Sequence, residues 1–179
     1  MKCASLFLAA VVLGGIACAP YKVIEKSGPP SALAKADQVA VVFDYSNIKM
    51  GMFAQKTEEE FQAGKDEEKF ESVKEKMDLE LGKAFAESID GKVVDTAPAK
   101  MTVFYTMMQQ GKYAPPFVQD TVIKAQCVFA QGDTVTDKIE TTAMVAASVT
   151  QPSIYQRAGV AARMLGKRCA HYYNKSRKT

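Results

Sequence analysis

The chain has 179 residues, 47% of them apolar and 24% charged, the balance of one globular domain with its own core rather than a disordered segment. Its formal charge of +3 is too small to imply a nucleic-acid partner. The single histidine, His171, leaves imidazole chemistry one candidate, and no internal repeat is visible along the chain.

Residues 3 to 19 form one uncharged apolar run behind Lys2. Such a run sits at the short limit for a membrane-spanning helix. The basic start, apolar middle and small residues at its end read as a secretory signal. The alternative is an uncleaved N-terminal anchor, in which Gly14 and Gly15 would weaken the helix. The run ends in Gly15-Ile16-Ala17-Cys18, which resembles the lipobox of bacterial lipoproteins. Ala17 and Cys18 follow that pattern, while Gly15 and Ile16 are less common choices within it. The resemblance implies a signal peptide over residues 1 to 17, cleavage before Cys18, a diacylglycerol thioether on its sulfur and acylation of the new amine. Several acyl chains hold a protein to a membrane durably where one is marginal. Ala19 follows the cysteine where an Asp would imply inner-membrane retention, so the resemblance implies a periplasm-facing outer-membrane protein. Residues 18 to 36 then read as lipidated cysteine and flexible tether, with Pro20, Gly28, Pro29 and Pro30 among them.

A single domain is expected over residues 37 to 174. Residues 38 to 48 are β-branched and aromatic and read as a strand, covered on both faces around Val39 to Phe43. Thr57-Glu58-Glu59-Glu60 carries a capping-box signature for a helix start. Phe70, Val73, Met77, Leu81, Phe85 and Ile89 then recur at helical spacing against a Lys and Glu face. A short strand is expected at residues 92 to 95 and a long one at 100 to 110. In the long strand Met101, Val103, Tyr105 and Met107 alternate with Thr102, Phe104, Thr106 and Met108. Residues 111 to 120 read as a loop. Residues 121 to 131 form a strand with Ile123, Ala125, Cys127 and Phe129 on one face, turned at Gly132-Asp133 into another at 134 to 149. A helix opens at Pro152 and buries Ala158, Ala161, Ala162, Leu165, Cys169 and Tyr172. A basic tail follows over 175 to 179. The fold class implied is α+β: a two-layer sandwich of a mainly antiparallel sheet with two helices packed on it.

With Cys3 in the signal and Cys18 acylated, Cys127 and Cys169 remain. In an oxidising compartment they form a disulfide if the last helix packs on the apolar face of the 121 to 131 strand. Two separate buried thiols are the alternative.

The motifs of nucleophilic catalysis, phosphate cradling and metal binding are missing: there is no G-x-S-x-G elbow, no Gly-rich phosphate loop, and two thiols with one distant imidazole do not make a zinc set. No cofactor is expected. Two surfaces remain for binding. Lys112, Tyr113, Pro115, Pro116 and Phe117 make a stiff aromatic ridge for a partner, unless Tyr113 and Phe117 tuck onto the sheet edge. Lys167, Arg168, Lys175, Arg177 and Lys178 can meet anionic lipid or cell-wall polymer, or simply be solvated. In element order residues 38 to 173 resemble small α+β envelope lipoproteins, such as the curli-transport and penicillin-binding-protein activator lipoproteins; no functional residue carries over. The reading is a non-enzymatic lipoprotein, anchored to the membrane through Cys18, whose domain binds another envelope protein or component. The alternatives are a subunit of a secretion or pore-forming assembly, and an envelope hydrolase using an acid such as Asp44.

Overall fold

The computed structural model of the chain describes residues 20–27, 32–51, 57, 67–151 and 153–178. The expected signal peptide, Cys18 and the Thr57 capping box's three glutamates lie outside these residues. The strands are β1 (Tyr21–Lys26), β2 (Gln38–Asp44), β3 (Lys49–Met50), β4 (Lys92–Val93), β5 (Ala99–Gln109), β6 (Lys112–Ala114), β7 (Phe117–Gln119), β8 (Thr121–Gln131) and β9 (Thr134–Val145). Among the described residues two α-helices, α1 (Glu67–Ala86) and α2 (Ile154–Arg177), complete the framework, with a 3-10 turn at Ala32–Lys35.

The main sheet runs β1-β9-β8-β5-β2-β4, with β3 also pairing on β5. The β5-β8-β9 meander is antiparallel, whereas β2 pairs parallel to β5 and to β4. Two parallel neighbours need a crossover, and α1 supplies it between β2 and β5. Both helices cover one face, so the fold is a two-layer α+β sandwich on a mixed, mainly antiparallel sheet. Met101, Val103, Tyr105, Ile123, Ala125, Cys127, Phe129, Ile139 and Ala143 meet Met77, Leu81, Phe85, Leu165 and Cys169 in the core. Each large apolar side chain buried there contributes roughly 1.5–3 kcal/mol. The helix stripes read from spacing are the buried ones, from Phe70 to Phe85 in α1 and from Ala158 to Tyr172 in α2.

The helices approach closely. A Cβ built on Gly166 of α2 would stand 2.5 Å from the Leu81 carbonyl oxygen of α1, which only glycine permits. Across the same contact Arg163 pairs with Glu80 and Glu87, each at 3.4 Å.

Several expectations need correction. Within the stretch expected as a tether, Tyr21–Lys26 is a strand bonded along β9, and the 3-10 turn at Ala32–Lys35 carries a fully buried Leu33. The edge of β9 would otherwise leave its backbone groups unpaired, and β1 satisfies them. The first long strand is covered on both faces only at its start, where Val39 and Ala40 are buried; from Val42, which is 44% exposed, one face is open. In β5 the alternation slips at a bulge between Tyr105 and Met107, so Met108 rather than Met107 enters the core. The basic tail belongs to the fold: α2 runs through Arg177, which pairs with Asp37 and donates to the Asp90 carbonyl, while Lys178 reaches Asp90 at 3.3 Å.

Candidate functional site

Residues 112 to 119 are a hairpin, not a loop. Strands β6 and β7 pair antiparallel as a small sheet of their own, with Tyr113 opposite Val118, and turn through the cis Pro115-Pro116 peptide. The tip is presented to solvent: Phe117 is 81% exposed, and Pro115, Pro116 and Lys112 are exposed with it. Phe117 therefore does not tuck onto the sheet edge, while Tyr113 is half-buried. The hairpin departs from the main sheet at Gly111, whose φ of +68° and lack of a Cβ let the chain pass the Gln119 carbonyl oxygen.

The base of the hairpin is held from α2. Arg157 is 2% exposed. Its Nε donates to Thr121 Oγ1 at 2.7 Å, its Nη1 to the Gln151 carbonyl at 2.9 Å and its Nη2 to the Gln110 carbonyl at 3.3 Å. Thr121 Oγ1 in turn donates to Gln110 at 2.6 Å. Carbonyl dipoles thus stand in for lost water around the guanidinium, and desolvation holds its pKa below the usual arginine value. Nothing in the sequence motifs singles Arg157 out. The available signal was a cation in the first turn of a helix, where the macrodipole disfavours it.

Beside β1 lies an open groove of about 520 Å³ lined by Pro20 to Lys22, Glu140 to Thr142 and Arg168. Within it Tyr21 stands edge-on to Tyr172 at 5.4 Å and 5.9 Å from the exposed His171 ring. Arg168 donates to the Thr142 carbonyl, beyond the point where β1 stops covering β9. Beneath β1, the buried Asp137 accepts from Tyr172 Oη at 2.7 Å and from Ser27 Oγ at 3.2 Å.

Asp44, the acid considered for hydrolysis, caps a turn: its carboxylate accepts from the Ser46 amide at 2.8 Å and hydroxyl at 2.6 Å, and those bonds hold its pKa low. A more unusual carboxyl is Asp78 on α1. Desolvation pushes its pKa up to about 6, against the lowering effect of the Tyr45 hydroxyl that donates to it at 2.6 Å. Tyr45 stacks on Tyr105 at 4.6 Å, and the buried Tyr105 hydroxyl has no hydrogen-bond partner among the described residues. Among the described residues no three His, Cys, Asp or Glu side chains gather as metal ligands, and no helix is long and apolar enough to cross a membrane.

Cys127 of β8 and Cys169 of α2 are joined by a disulfide, their Cα atoms 6.7 Å apart, tying the second helix to the centre of the sheet. The strand-face and helix-stripe patterns had brought these two residues together.

No family model matches the chain, and no curated protein matches it. Among solved structures it is similar to a PelC dodecamer subunit from Paraburkholderia phytofirmans, at 14% identity over 82% of this chain and 97% of that one, with a TM-score of 0.40. It is also similar to a DUF330 protein from Xanthomonas campestris, at 11% identity over 86% and 92% of the two chains and a TM-score of 0.48. A minor lipoprotein from Acinetobacter baumannii aligns at 8% identity over 79% and 94%, with a TM-score of 0.38.

Proposed function

We propose that this protein is a non-enzymatic envelope lipoprotein, acylated at Cys18 and anchored in the outer membrane, whose domain contacts another envelope component through the hairpin at Lys112, Tyr113, Pro115, Pro116 and Phe117. The observation that carries the contact is Phe117, an aromatic ring 81% exposed on a hairpin whose base Arg157 holds from inside the fold. An exposed aromatic on a stiff support loses little conformational freedom on binding, and fold stability does not require it there. The lipobox residues Ala17 and Cys18 support the anchor.

Two measurements test the reading. The intact chain labels with a clickable fatty acid, and Cys18→Ser does not and accumulates as precursor; equal labelling of both removes the anchor. A photo-crosslinking residue at position 118 captures a defined envelope component, protein or lipid, in living cells, and capture of neither removes the contact. Crosslinks solely to a second copy of the chain would turn the reading toward a self-assembling subunit.

A further inference from the structure

The anchor and the hairpin leave the same end of the sheet. Strand β1 begins at Tyr21, opposite Thr141 of β9. From there β9 continues to Val145, opposite Thr121 at the start of β8, and the β6–β7 hairpin is the segment that delivers the chain into Thr121. Three residues of chain, at most about 10 Å when extended, take Cys18 to Tyr21. Tyr21 itself is buried and bonded into the sheet. A lipid on Cys18 would therefore hold the end carrying the hairpin close to the bilayer.

That end is apolar where water would otherwise be expected. Besides Phe117 and its neighbour Val118, Met144 is 61% exposed and Val149, in the turn after β9, is 74% exposed. Met144 stands opposite Val122 at the same end of the sheet. Lys112 stands on the hairpin with Asp120 just after it, and Lys22 and Arg168 line the groove beside β1 together with Glu140. Exposed apolar side chains with aromatic and cationic company suit the boundary between lipid headgroups and acyl chains.

Resting on the anchoring reading above, we propose that the component met by the hairpin is the anchor's own bilayer: Phe117 and Val118, with Val149 and Met144, seat in its headgroup region and fix the domain's orientation.

The sequence has no tryptophan, so Phe117→Trp introduces a sole indole. The lipidated full-length variant is reconstituted in phosphatidylethanolamine and phosphatidylglycerol vesicles with brominated acyl chains. Val135→Trp, at the opposite end of β9, is the reference. The expected result is blue-shifted emission and bromine quenching at position 117, with neither at 135. Chains that label with fatty acid and float with the vesicles, yet are quenched no more at 117 than at 135, overturn the proposal alone and return the hairpin to a protein partner. Chains that neither label nor float overturn the anchoring reading, and the proposal falls with it.

Discussion

Arg157 Nε donates to Thr121 Oγ1 at 2.7 Å across 36 positions of sequence, so a residue in the first turn of α2 sets where the β6–β7 hairpin leaves the sheet. Replacing it tests that dependence. Arg157→Met keeps most of the buried stem but strips donors from Thr121, Gln110 and Gln151. The expected loss is about 2–4 kcal/mol, measured by urea unfolding. The amides of the non-proline residues from 112 to 119 should also exchange faster in the native state. A variant of unchanged stability with an unchanged hairpin would remove the clamp from the account.

The helix contact makes a sharper steric prediction. Gly166→Ala places a methyl carbon 2.5 Å from the Leu81 carbonyl oxygen, and backbone cannot yield cheaply there. We expect destabilisation of about 1–3 kcal/mol by overpacking, despite alanine's better helix propensity. A rise in Tm in calorimetry would contradict the close approach of α1 and α2.

Asp78 gives a pH signature. Its pKa rises from the usual value near 4 to about 6 in the folded protein, through desolvation. Between those values the folded state holds a proton that the unfolded state has released, so the contribution is full below about pH 4 and is lost as pH rises through about 6. Because the carboxyl is only partly buried, the change is about 1 kcal/mol after allowing for solvent. Asp78→Asn keeps an acceptor for Tyr45 and should abolish this component. Parallel stability profiles of the two proteins from pH 4 to 7 would refute it.

The disulfide closes a loop with a sequence separation of 42, and the chain-entropy model assigns such a loop about 4 kcal/mol. Cys127→Ala combined with Cys169→Ala should lower stability by up to that amount. Unreduced peptide mapping should recover the linked pair; alkylation of both thiols without reduction would show them separate.

Legibility followed the range of the physics. The stripes of α1 and α2 were readable because residues one turn apart share a face, and the pairing of Cys127 with Cys169 followed once a strand face and a helix face were both assigned. Strand β1 was not readable. YKVIEK carries Lys22, Glu25 and Lys26 and becomes a strand by bonding to β9, where Thr141 also donates to the Pro20 carbonyl from 121 positions away. The slip at Thr106 was equally hidden, because a bulge is a property of two strands in register.

The candidate site divides in the same way. Residues 112 to 117 were marked by composition alone, because aromatic residues beside a proline pair are a local feature. Their form as a hairpin, the exposure of Phe117 and the hold of Arg157 depend on elements that meet only after folding. Cys18 is a matter of short-range pattern, read before any fold exists. Its separation from the domain is not: residues 21 to 26 read as tether by composition and are a strand in the tertiary structure, because the open edge of β9 offered backbone partners that solvent and flexibility could not match.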